Sequence, residues 1–145
     1  RFFIYRNSSE VIRKEHSDVA PYLNAEMIRL FDEKQNFNFD YEKQIFLKTF
    51  TIADKALEDS AFKKYNHQKA KYEGAISLPV YEAASFGLSK LIENNKLDDN
   101  QLVELFIRKT KELTADSEYL RVIENRTRPI DRMVEMSKIA IRVFK

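Results

Sequence analysis

The chain has 145 residues, 43% hydrophobic and 33% charged, which is long enough for one buried core and too apolar for a disordered segment. Its formal net charge of +2 excludes a strong overall pull on nucleic acid, and the lack of cysteine excludes disulfides, thiolate metal sites and thiol nucleophiles. With 11 Phe and 7 Tyr against 2 Gly and 3 Pro, the composition favours long helices over a many-stranded sheet, which needs frequent turn glycines.

In chain order, residues 1–6 (RFFIYR) read as the end of an apolar helix. Because the chain opens inside that segment, we expect a piece of a longer protein. Asn7-Ser8-Ser9 reads as a break. The spacing of Val19, Tyr22, Leu23, Met27, Leu30 and Phe31 predicts a helix over 18–35, capped by Ser17 or Asp18. Pro21 is tolerated in its first turn, where the missing N–H is not needed. Asp40 is the expected cap of a second long helix with Tyr41, Ile45, Phe46, Thr49, Phe50, Ala53 and Leu57 along one stripe. Residues 60–74, with the run FKKYNHQKAKYEG, read as a long polar loop with a short helix at its head.

Ser77-Leu78-Pro79 marks another helix start, and the pattern continues through Val80, Tyr81, Ala84, Leu88, Leu91 and Ile92 to Asn94. The small residues Ala83, Ala84, Ser85 and Gly87 suit the close approach of a neighbouring helix. Asp98 or Asp99 caps a helix carrying Leu102, Val103, Leu105, Phe106 and Leu113. A short helix over 116–123 follows, and a last one begins near Pro129 with Ile130, Met133, Val134, Ala140, Ile141 and Phe144. The expectation is an all-α fold: one domain over 1–145, an irregular bundle of about six helices. Phe2, Phe3, Phe46, Phe50 and Phe106 are expected in its core. No apolar run approaches the ~20 residues of a membrane span, and no signal peptide is visible, so a cytoplasmic protein without a membrane partner is expected.

Little in the chain points to catalysis. Its two glycines, Gly74 and Gly87, form neither a phosphate loop nor a dinucleotide fingerprint, and a Gly-x-Ser-x-Gly turn is absent. His16 and His67 lack partners at helical ligand spacing, so no metal site and no cofactor are expected here. Asp54 with Glu58, and Asp131 with Glu135, stand one helical turn apart, as paired acids for proton transfer would. Lys55, Arg132 and Lys138 offer them ordinary salt-bridge partners instead, and no catalytic residue is assigned.

The strongest candidate site is the basic, tyrosine-interleaved stretch Lys63, Lys64, Tyr65, His67, Lys69, Lys71 and Tyr72. Lysines there can neutralise phosphates and tyrosines can stack on exposed bases. Arg126 and Arg128 form a second candidate, since arginine forks onto phosphate and this loop precedes a helix N-terminus. The competing reading of both is a solvated basic surface.

Three stretches together resemble a known bacterial family. RFFIYRNSSE followed by VAPYLNAEM resembles an apolar Arg-Phe-Phe helix leading into a helix with a Tyr/Phe-Leu core. ADKALEDSAFKKYN followed by ISLPVYEAASFGLSKLI resembles an Ala-Phe-Arg/Lys stretch and its subsequent apolar helix; Val80-Tyr81-Glu82 stands where Leu-Phe-Glu is usual. RTRPIDRMVEMSKIAI resembles the last helix, with Thr127 preceding Arg132. The family is the GmrSD-type group of restriction and phage-defence proteins, whose N-terminal half has a ParB/sulfiredoxin-like fold. The resemblance implies the helical region that follows this core, in a protein acting on modified invader DNA with nucleotide-dependent recognition or cleavage. It also implies the upstream core as a partner. The family's Asp-Gly-Gln-Gln-Arg-like motif and a His-Asn-His nuclease motif have no match here, so no catalytic residue carries over.

Overall fold

A computed structural model describes residues 1–8, 17–32, 37–125 and 127–145. Among them are seven α-helices: α1 (Phe2–Asn7), α2 (Val19–Phe31), α3 (Phe39–Leu57), α4 (Leu78–Asn94), α5 (Asp99–Ala115), α6 (Ser117–Glu124) and α7 (Pro129–Val143). The fold is a mostly α bundle, as the composition predicts. Where a loop is expected, a 3₁₀ turn (Glu58–Ser60) leads into a small antiparallel hairpin of β1 (Lys64–Asn66) and β2 (Lys71–Glu73).

α4 is the central element, packed by α1, α3, α5 and α7. Its residues 82–89 (EAASFGLS) are all buried, so it has no solvent face over two turns. Such a helix needs small side chains wherever a neighbour presses in. Gly87 meets that demand most sharply, because a Cβ there would lie 2.4 Å from Cγ of Phe144 at the end of α7. Ring contacts run across the core from Phe2 through Phe46, Phe50, Phe62 and Phe106 to Phe144. Phe2 and Phe106 are buried, whereas Phe3, Phe46 and Phe50 are half-buried.

The helix starts follow local chemistry. Asp98 forms a capping box with Gln101, each side chain accepting from the other's backbone N–H. Asp116 caps α6 and also takes both guanidinium arms of Arg142, at 2.8 and 2.9 Å, which ties α6 to the end of α7. α3 begins two residues earlier than Asp40 predicts. Asn38 is its cap, accepting from Tyr41 N at 3.0 Å, and this leaves Asp40 in the first turn, where its charge favours the helix N-terminus. The described part of α2 ends at Phe31, and residues 33–35 of the expected helix lie outside the described residues, as does Ser9.

Buried charge holds α1 in place. The Arg6 side chain, 2% exposed, donates to both oxygens of Glu42 on α3 (2.7 and 3.0 Å), to Glu93 on α4 (3.2 Å) and to Ser89 Oγ (3.1 Å). At the other end of α1, Arg1 pairs with the fully buried Glu82 of α4. Burial pushes the Glu82 carboxyl above its ordinary pKa, against the opposing pull of Arg1 and Arg132. The apolar residues Phe2, Ile4 and Tyr5 are therefore covered within this chain. Continuous exposed apolar surface lies elsewhere, on Ile28 (74% exposed), Phe31 (49%) and Phe39 (53%), whose two rings touch at 5.2 Å.

Two measurements follow. Gly87→Ala should destabilise the fold by about 1–3 kcal/mol in urea unfolding, through overpacking against Phe144. The cost should shrink when Phe144→Leu is present in the same chain, as a double-mutant cycle would reveal. Burial opposes ionisation of Glu93, but hydrogen bonds from Lys90 and Tyr41 and the charge of Arg6 outweigh it and hold its pKa at about 2. A pKa depressed in the folded state supplies stability above the unfolded value, and that stability is lost as pH falls from about 4.5 toward 2. The unfolding free energy should decline over that window, and Glu93→Gln should flatten the decline.

Candidate nucleic-acid interface

Residues 62–77 are pinned at a neck and laid on α5. Phe62 adopts φ 64, an unusual conformation for an aromatic residue. Its ring is locked among Phe50 (5.9 Å), Tyr81 (5.3 Å) and Phe106 (6.4 Å), and its carbonyl accepts from Ser77 N at 2.9 Å. Packing from α3, α4 and α5 thus fixes the backbone where the chain leaves the core. Gly74, at φ 82, turns the chain back toward α4.

Within the hairpin, Lys64 pairs with Glu73, Tyr65 with Tyr72 and Asn66 with Lys71. Strand side chains alternate, so Tyr65 and Tyr72 share one face and Lys64, Asn66, Lys71 and Glu73 the other. The tyrosine face lies on α5. Tyr72 Oη is 2.9 Å from Thr110 Oγ1, which itself lies 3.0 Å from the Phe106 and Ile107 carbonyls as a donor. Tyr72 Oη also lies 3.5 Å from the Ile107 carbonyl, so the two hydroxyls and the helix carbonyls form one small network. The Tyr65 ring meets Tyr72 edge-on at 4.9 Å, meets His67 at 4.9 Å, and carries Lys111 Nζ over its face at 4.9 Å. His67 Nε2 reaches Thr114 Oγ1 at 3.3 Å. Ile107, Thr110, Lys111 and Thr114 form one helical stripe, which is the bed of the hairpin.

The turn is tied by Asn66, whose Oδ1 accepts from Gln68 N and Lys69 N, each at 3.0 Å, while Ala70 takes the left-handed conformation at φ 51. Lysines crowd the solvent face. Lys64, Lys69 and Lys71 are exposed and Lys63 is half-buried at the neck. Glu73 is the counterweight: it accepts from Asn66 (2.7 Å) and Lys69 (3.2 and 3.3 Å) and lies 3.8 Å from Lys71. These hydrogen bonds, Asn66's first, lower its pKa below the ordinary carboxylate value. Glu58 and Asp59 lie exposed on the preceding 3₁₀ turn.

The structure thus brings Lys63, Lys64, Tyr65, His67, Lys69, Lys71 and Tyr72 together on one device but divides their roles. The tyrosines and His67 mount it, and the lysines face solvent. Lys111, which the sequence pattern does not single out, joins them through its place over Tyr65; its only sequence signal is membership of the stripe with Thr110 and Thr114. Arg128 sits at the start of α7, exposed, with Nε on Asp131 at 2.8 Å. Arg126 and His16 lie outside the described residues. Asp131 and Glu135 are taken up by Arg128 and Lys138, and Glu58 leaves the helix at φ 46, so neither acid pair forms a proton-transfer dyad. Among the described residues, no group of three or more His, Cys, Asp or Glu side chains gathers in a metal-holding arrangement, and no helix is long and apolar enough to cross a membrane.

Comparison of the chain with family models, curated proteins and solved structures finds no match.

If the tyrosines are the mount, Tyr72→Phe should remove one hydrogen bond worth about 0.5–1.5 kcal/mol. Hydrogen exchange should quicken at the amides of residues 64–73 while α4 keeps its protection. Equal loss in α4 would show that Tyr72 belongs to the global core instead.

Proposed function

We propose that this chain is the helical, non-catalytic domain of a GmrSD-like bacterial DNA-defence protein, cytoplasmic, which supports a nucleotide- and DNA-processing core and touches DNA through the basic hairpin. The observation that carries the reading is the solvent face of Lys64, Lys69 and Lys71, with Lys63 beside it, on a hairpin mounted on α5. The likeness of the three stretches to that family supports the same context. In this reading the parent protein is a nucleotide-dependent endonuclease whose chemistry lies in the ParB-like core, and the bundle is its rigid support.

A second reading, a protein–protein scaffold, is favoured by the exposed cluster of Met27, Ile28, Phe31 and Phe39. Apolar side chains that are contiguous and solvent-facing mark a docking surface more often than they mark chance.

Titrating labelled DNA duplex by fluorescence anisotropy at two or more salt concentrations separates the readings. Four phosphate contacts give a slope of log affinity against log salt of about −3 to −4. Changing Lys63, Lys64, Lys69 and Lys71 together to Ala should flatten that slope and weaken binding, and an unchanged affinity would remove the DNA-contact claim. Light scattering that shows association abolished by Ile28→Asp, with no DNA binding, would favour the scaffold.

A further inference from the structure

We infer that the hairpin grips nucleic-acid phosphates without stacking on bases, so that it takes duplex in preference to unpaired strands, and that Glu73 holds Lys69 and Lys71 until phosphate replaces it. The inference rests on the nucleic-acid reading above and narrows it to a class of ligand and to one competing residue.

A stacking platform needs a ring open to solvent on at least one face. The two tyrosine rings of this segment are half-buried and engaged. The His67 ring, though exposed, is tied to α5 through Nε2 at 3.3 Å from Thr114 Oγ1. Tyr65 has an ammonium over its face and ring edges at Tyr72 and His67, and Tyr72 is held through its hydroxyl on Thr110. Phe62 is buried among Phe50, Tyr81 and Phe106. Freeing either tyrosine for a base would cost the contacts that seat the hairpin on α5. What the hairpin strands offer outward is lysine, with no arginine fork. Asn66 is spent on the turn and on Glu73, and the exposed amide of Gln68 stands at the turn, beyond the strands that carry Lys64 and Lys71. Lysine acts as a point charge on phosphate, and duplex presents phosphates at twice the linear density of one strand.

Glu73 occupies the place a phosphate would take. Its oxygens already lie within 3.8 Å of Lys69 and Lys71 on the exposed face. A phosphate oxygen offers the same acceptor geometry, so the ammonium groups exchange one anion for another while Asn66 retains its hold on Glu73. Exposed pairs of this kind contribute little to stability, which makes the exchange easy. The carboxylate left behind then repels the phosphate, so it should limit affinity and flatten the salt dependence.

The test uses the 145-residue chain with a labelled 20-base-pair duplex and labelled 20-nucleotide strands of oligo-dT and oligo-dA, titrated over a salt series. Duplex should bind more tightly than either strand, and dT and dA strands should agree within about two-fold, since phosphate contact is blind to the base. Glu73→Gln, which keeps an acceptor for Asn66, should bind duplex several-fold more tightly at low salt with an unchanged melting profile. A ten-fold preference for one homopolymer, or for single strand over duplex, would show base contact and overturn the inference while leaving the nucleic-acid reading intact. Unchanged or weaker duplex binding by a folded Glu73→Gln would overturn the role of Glu73. Failure of the wild-type chain to bind any of the three would overturn the reading and the inference together.

Discussion

The buried guanidinium of Arg6 is the constraint from which the rest of the structure can be followed. Arginine stays protonated in proteins, so a side chain 2% exposed must be met by fixed acceptors. Glu42 supplies two, Glu93 and Ser89 one each, and these residues stand on α3 and α4. Satisfying one cation therefore sets three helices against one another. Replacing a buried ion pair with apolar groups is commonly neutral for stability, whereas removing one partner is costly. The clamp thus acts as a condition on which helices can pack together, more than as a source of net stability.

That condition propagates to the hairpin. With α3 and α4 fixed, Phe50 and Tyr81 form two walls of the slot that takes Phe62, and Phe106 of α5 forms the third. Phe62 holds its strained backbone because three helices over-determine it. From that neck the hairpin can lie only on α5, where Thr110, Lys111 and Thr114 receive Tyr72, Tyr65 and His67. A short two-stranded ribbon is marginal alone in water, so its order comes from this bed. Lysines on its outer face are then presented by a support that costs little further entropy on contact with a partner.

Much of the helical frame was legible because its signals are local. Ser77-Leu78-Pro79 and Asp98 with Gln101 mark helix starts by chemistry contained in three or four residues, and the small run 83–87 announces a crowded helix. Asp40 misled because Asn38 offers equal capping chemistry two residues earlier. The hairpin has a weak local signal although Lys64-Tyr65-Asn66 and Lys71-Tyr72-Glu73 alternate in strand fashion. Its turn has no glycine, and Ala70 takes the left-handed position that glycine would advertise. The buried charges were illegible for another reason. Glu26, Glu42 and Glu82 resemble solvent-facing carboxylates within any one helix, and the arginines that justify burying Glu42 and Glu82 lie 36 and 81 positions away. In the candidate site, composition singles out the segment that forms the hairpin. The division of labour between mounting tyrosines and outward lysines needed the register and the bed on α5.

Amide shift mapping on the ¹⁵N-labelled chain with added DNA duplex addresses the central claim, a rigid bundle presenting one basic face, most directly. The account predicts that the shifts concentrate on residues 63–73 and Lys111 while α4 and the Arg6 clamp stay unperturbed. Shifts centred on Ile28, Phe31 and Phe39, or spread through α4, would contradict it.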